Sequence, residues 1–185
     1  MTDKIPDFTE TALSSETVYR GNLLHVLEDG VRLPDGRTGR REYIRHPGAA
    51  VMVPMPDPER VVLVRQFRYP LARHFYEVPA GKIDPGEAPL LAARRELREE
   101  CGFEAGEWRH LATIHPCIGY SDERMELYLA RRLAAVGHAP DQDEFLEVLT
   151  VDLVEALRWV RGGRITDVKT IIGLMWADRI AADGW

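Results

Sequence analysis

Apolar residues recur first in short, β-type runs. Thr17 to Arg20 and Leu23 to Val26 read as short strands, with a turn at Glu28-Asp29-Gly30 and a second at Leu33-Pro34-Asp35-Gly36. Gly and Pro steps of this kind punctuate strands. Residues 16–45 therefore read as a meander of short strands, preceded by a polar, loosely ordered stretch over residues 1–15. Ala49 to Met55 and Arg60 to Phe67 are β-rich runs separated by a hairpin loop at Pro56-Asp57-Pro58-Glu59. Phe75 to Pro79 adds a short strand before Gly81.

From Ala88 to Cys101 the period becomes helical, with Leu90, Ala93, Leu97 and Cys101 along one face. Pro89 suits the first helical turn and Gly102 the residue just past the last one. Strand patterning returns at Leu111 to His115, at Met125 to Arg131, where Met125, Leu127 and Leu129 alternate, and at Phe145 to Val151. Two helices close the chain. One spans about Asp152 to Arg161 and is stopped by Gly162-Gly163; the other spans Asp167 to about Ala182, with Thr166 as its expected N-cap. The order predicts an α/β (α+β) fold, a mixed β-sheet sandwiched between helices, with a short N-terminal β meander.

A chain of 185 residues fits one domain carrying a short extra element. The expected division is a meander over residues 1–45, a dimerisation element, and a main domain over residues 46–185. No run approaches 18 uninterrupted apolar residues, so a membrane span is not expected. The opening residues MTDKIPDFTE lack an apolar leader core, which points to the cytoplasm. A formal charge of −6 argues against a nucleic-acid polymer as partner, because phosphate neutralisation needs clustered Lys and Arg. It leaves room for a small diphosphate, provided a metal ion bridges the negative charges. Cys101 and Cys117 form no CxxC pair or zinc spacing and read as free thiols.

Glu96, Glu99 and Glu100 are related by three and four residues, so the helix gathers them on one side, away from its apolar line. Taken alone, this could be a solvated acidic face balanced by Arg94, Arg95 and Arg98. Oxygen clusters of this kind also bind hard cations such as Mg²⁺. The residues in front of the helix change the picture. Gly81, Glu87, Arg95, Glu96, Leu97, Glu99, Glu100, Gly102 and Phe103 stand at the spacing G-x5-E-x7-R-E-U-x-E-E-x-G-U, where U is apolar. From average residue usage, a chance match is on the order of 10⁻⁹ per start position. Gly81 and Gly86 let the backbone turn closely, Glu87 complements the helix entry, and Arg95 can orient the acid cluster by bidentate hydrogen bonds.

Filled at every defined position, this motif resembles the box of the Nudix hydrolase family. The resemblance implies that Glu96, Glu99 and Glu100, with the backbone carbonyl of Ala80, bind two to three Mg²⁺ or Mn²⁺ ions. It also implies catalytic roles for Glu99, Glu100 and Arg95. Outside the box the chain looks like the ADP-ribose pyrophosphatase branch, through Glu16 to Gly21, Arg40-Arg41-Glu42, Gln66-Phe67-Arg68, Glu77 to Gly81, Gly119 to Glu123 and Asp143 to Val148. Two departures stand out: Pro116 lies 13 residues past Phe103, somewhat early for the branch, and Asn22 occupies the place of an aromatic that stacks on the base.

By the same resemblance Arg68 would contact the diphosphate or terminal sugar, Arg41 the nucleotide, and Glu123 the sugar side, with Lys82 also on the substrate. Glu144 would be the general base, or a second-metal ligand, in a loop where Gln142 fills another place that relatives give to an acid. The implied substrate is a nucleoside diphosphate sugar such as ADP-ribose, split into AMP and a sugar phosphate by a homodimer. GDP-mannose, a dinucleoside polyphosphate or a nicotinamide dinucleotide are the alternatives within the family. A non-catalytic ligand-sensing module is the alternative outside catalysis, although retention of every box carboxylate favours an enzyme.

Overall fold

The computed structural model describes residues 5–137 and 145–183, and the chain folds as two compact units. The smaller joins residues 1–46 to 117–123. Its sheet is three antiparallel strands in the order β1 (Thr11–Arg20), β2 (His25–Arg32), β3 (Thr38–Arg45). Two expectations fail here. Glu28-Asp29-Gly30 is not a turn but lies inside β2, paired on one side with Glu16, Ser15 and Ser14 and on the other with Glu42, Arg41 and Arg40. A central strand satisfies its backbone on both edges, and an Arg40–Glu28 ion pair at 2.9 Å spans β2 and β3. The stretch before residue 16 is irregular only over residues 5–10 of those described, because β1 begins at Thr11. The turn at Leu33 to Gly36 forms as expected, with Gly36 at φ 87° and its N–H on the Leu33 carbonyl.

The larger unit joins residues 47–116 to 124–185. It contains an antiparallel sheet in the order β10 (Leu146–Asp152), β5 (Arg60–Arg68), β6 (Arg73–Glu77), and a mixed sheet in the order β7 (Ala80–Lys82), β4 (Ala49–Pro54), β9 (Met125–Ala135), β8 (Phe103–Ile114). β4 and β9 are parallel. The helices are α1 (Pro89–Cys101), α2 (Leu153–Arg161) and α3 (Val168–Asp183).

Alternation along the strands explains the layering. Val51, Val53, Val61, Leu63, Leu127 and Leu129 point to one core with Leu153, Ala156, Leu174 and Ala177 of α2 and α3. Ala50, Met52, Val62 and Val64 point the other way, to Ala92, Ala93, Leu97 and Cys101 of α1. Strands covered on both faces read as continuous apolar runs, which is why Ala49 to Met55 shows no polar alternation. β8 starts much earlier than Leu111, at Phe103; its first half is half-polar because, among the described residues, it is the sheet's edge strand, paired with β9. Among the described residues no helix is long and apolar enough to cross a membrane.

Candidate active site

α1 carries the densest chemistry. Pro89 starts it, and Gly102 ends it in the left-handed region at φ 69°, with its N–H on the Arg98 carbonyl at 3.0 Å. One face is apolar and buried, and Glu100 is buried beside it at 4% exposure. Burial, reinforced by Glu100, pushes the Cys101 thiol well above its ordinary range, so it serves as an apolar filler.

Arg95 organises the acids. Its Nε and Nη2 donate to Glu87 at 3.1 and 3.0 Å, its Nη1 donates to Glu96 at 2.7 Å and Glu99 at 3.1 Å, and Nη2 also reaches the Lys82 carbonyl at 3.0 Å. Hydrogen bonds to Glu87, then to Glu96 and Glu99, raise the Arg95 pKa further above an already high value. Glu87 in turn caps the loop, accepting from the Asp84 N–H at 3.1 Å. One guanidinium thus ties the loop before the helix to both box carboxylates.

Gly81 meets this cluster directly. A Cβ there would lie 1.8 Å from Cδ of Glu96, so the glycine makes room for a carboxylate. Gly86 answers a different need, a positive φ of 81° in open space. Ala80 donates its N–H to Glu100 Oε2 at 3.1 Å. Ala80, Glu96, Glu99, Glu100, Arg95 and the backbone of Lys82 are therefore brought together, while the Lys82 side chain is exposed.

Among the described residues no three His, Cys, Asp or Glu side chains converge as a finished metal cage. The donor set still suits a hard dication: it is all oxygen, and Arg95 draws Glu96 and Glu99 to one side beside the bare backbone of Gly81.

Arg68, at the end of β5, grips Glu77 of β6 in a fork, Nε at 2.8 Å and Nη2 at 2.7 Å. Lys169 donates to the same carboxylate. Burial drives the Glu77 pKa upward, but Arg68 and Lys169 outweigh it and hold the group below the usual carboxylate range. The hydrogen bonds to Glu77 raise the Arg68 pKa against the opposing effect of burial. Arg41 and Glu123 belong to the smaller unit and have partners there: Arg41 bonds Glu10 and the Arg40 carbonyl, and Glu123 lies 3.8 Å from His46. Glu144 and Gln142 lie outside the described residues.

The sequence marks Glu77 only as part of the Glu77 to Gly81 motif and gives no functional signal for Lys169 or Thr170. A lysine inside a terminal helix usually reads as solvated. Asp167 offers a signal: an Asp at the start of an apolar-periodic run is a standard N-cap.

Two family models match in tandem. The nucleoside diphosphate sugar hydrolase N-terminal domain covers residues 10–44 and the NUDIX domain covers residues 45–167. The chain is 36% identical to a methanol dehydrogenase activator of Bacillus methanolicus, over 91% of this chain and 92% of that one. It is 34% identical to an ADP-ribose pyrophosphatase of Bacillus subtilis, over 90% and 91%. The crystal structure of an ADP compounds hydrolase superimposes with a TM-score of 0.83 at 25% identity, covering 95% of each chain. With every box position filled and the acids folded around Arg95, the chain belongs to the Nudix hydrolase family.

Proposed function

We propose that the protein hydrolyses the pyrophosphate bond of an ADP-sugar, ADP-ribose first among them, to give AMP and a sugar phosphate. The observation that carries the reading is the Arg95 cluster, in which Glu87, Glu96 and Glu99 are gathered by one guanidinium next to Gly81. The likeness to the ADP-ribose pyrophosphatase of Bacillus subtilis supports the choice of substrate. Nudix hydrolases generally need a divalent metal, and here Glu96, Glu99, Glu100 and the Ala80 carbonyl are the residues to hold two to three Mg²⁺ or Mn²⁺ ions. Such ions, when bound, neutralise a diphosphate and lower the pKa of bound water.

The chain's own residues do the rest. Arg95 keeps the acids aligned, Arg68 offers its guanidinium to the diphosphate or terminal sugar, and Lys82 adds a flexible cation. Arg41 and Glu123 take the nucleotide and sugar sides. Glu144 accepts the proton of the attacking water. A homodimer belongs to the same reading, supported by β1, which is exposed at all ten positions and displays Leu13, Val18 and Tyr19; a monomer by light scattering overturns it. A cytoplasmic location is supported by two free thiols, Cys101 and Cys117.

The test is a panel of nucleoside diphosphate sugars with Mg²⁺, run on the wild type, Glu100→Gln and Glu144→Gln. ADP-ribose is expected to give AMP, and Glu144→Gln to lower kcat by ~10²-fold or more, as loss of a general base does. A flat response to ADP-ribose with rapid turnover of GDP-mannose moves the protein to another substrate. Binding without turnover of any compound makes it a sensing module.

A further inference from the structure

The segment Glu77-Val78-Pro79-Ala80-Gly81 leads into the box, and it is held from both sides. On the α1 side Glu100 accepts from the Ala80 N–H at 3.1 Å, and the Glu96 carboxyl fills the space over Gly81. On the α3 side Val78 donates its N–H to Thr170 Oγ1 at 2.9 Å, and Lys169 donates to Glu77. Asp167 closes the arrangement, accepting from Lys169 Nζ at 3.0 Å and from the Thr170 N–H at 3.0 Å. Lys169 is 6% exposed and Thr170 fully buried. A lysine buried this deeply is retained only where its charge is paired, and here both of its acid partners are fixed in place.

The geometry has a direction. Arg68 uses Nε and Nη2 to hold both oxygens of Glu77, so the plane of the carboxylate sets the plane of the guanidinium. Lys169 bonds the same carboxylate from the opposite element and so fixes that plane. A cavity of ≈ 420 Å³ opens over this triad, lined among others by Arg68, Phe75, Glu77 and Lys169, so a ligand group can reach the arginine. The NUDIX match ends at residue 167, which leaves Lys169 and Thr170 outside it.

We propose that Lys169 is a positioning residue for the hydrolysis: through Glu77 it fixes the guanidinium of Arg68 at the mouth of this cavity, ready for an anionic oxygen of the substrate. The inference rests on the reading of Arg68 as a substrate-binding residue. It differs from a purely architectural role, in which the Lys169–Glu77 pair would only fasten α3 to β6.

A double-mutant cycle separates the two. Lys169→Met, Arg68→Ala and the double variant are compared with the wild type on ADP-ribose and Mg²⁺, with circular dichroism to check folding. Lys169→Met is expected to lower kcat/KM by ~10²-fold, the scale of a misplacement remote from the chemistry. Lys169→Arg, which keeps the charge, recovers most of the loss, and Arg68→Ala adds little once Lys169 is gone. Wild-type kinetics in Lys169→Met, or penalties that multiply in the double variant, overturn the proposal. If Lys169→Met does not fold, Lys169→Gln takes its place in the cycle. A second measurement needs no substrate: the Nε–H resonance of Arg68, identified by its loss in Arg68→Ala, is expected to be sharp in the wild type and broadened in Lys169→Met. Failure of the wild type to cleave ADP-ribose sinks the substrate reading alone. An unchanged Arg68 resonance in Lys169→Met sinks the positioning role.

Discussion

At Gly81 the clash that forbids a side chain is with one specific group. A Cβ would meet the Cδ and both oxygens of Glu96 within 2.3 Å, and no backbone atom is among its nearest neighbours. The end of a glutamate can swing aside, so Gly81→Ala is expected to fold, with Tm lowered by no more than about 2–4 °C, equivalent to ~1 kcal/mol for a chain of this size. A displaced Glu96 strains its 2.7 Å bond to Arg95 and leaves its place beside the backbone of Gly81. Activity should therefore fall far more than stability, by ~10²-fold or more in kcat/KM. Thermal unfolding and steady-state kinetics on the same sample check both halves, and unchanged turnover would show that Glu96 need not sit where it does. Spacing alone made Gly81 and Arg95 legible, because a motif records which residues recur at fixed intervals. It could not supply the reasons. A bidentate grip by Arg95 on one acid was foreseeable; its division among Glu87, Glu96, Glu99 and a carbonyl depends on how the loop at residues 82–87 returns to the helix.

Among the elements, α1 was readable almost to the residue, since apolar period, N-terminal proline and C-terminal glycine all agree there. β8 and β2 were less so. The first half of β8 is a polar edge strand, and Glu28-Asp29-Gly30 carries turn residues that the two flanking strands hold extended. α3 was found, but its cap was misplaced by one residue. The expected cap, Thr166, instead accepts a hydrogen bond from Arg73 at 3.2 Å, while Asp167 Oδ2 accepts from the Thr170 N–H three residues on, the bond that defines an N-cap. Asp167→Ala is expected to lose ~1 kcal/mol through the cap alone, read as about 2–4 °C in Tm, and more because Lys169 loses a partner. Thr166→Ala should stay within ~0.5 kcal/mol, as surface substitutions do. Equal losses in the two variants would return the cap to Thr166.

Over the whole molecule, the acidic balance of −6 hides two deeply placed carboxylates whose neighbours are basic. Glu77 is 2% exposed and meets Arg68 and Lys169; Glu126 is 8% exposed and meets Thr113, His110 and Arg124. In both, burial pushes the pKa up but the hydrogen-bonding and charged partners prevail, and the group ends below its ordinary value of 4.5. A carboxylate with a depressed folded pKa contributes stability that is fully present above the unfolded value. That contribution is lost as pH falls through the folded value. The protein should therefore hold constant stability in this respect down to about pH 4.5 and lose it below. Glu77→Gln leaves two cations facing one amide, so at pH 7 it should be destabilised by ~3–5 kcal/mol, the scale of breaking a buried ion pair. It also removes one titrating group, so its stability declines less steeply on acidification and the two curves converge. Urea unfolding at a series of pH values between neutrality and the acid limit measures this directly. Parallel curves would mean that Glu77 keeps the same pKa folded and unfolded, and that Arg68 and Lys169 do not stabilise its charge.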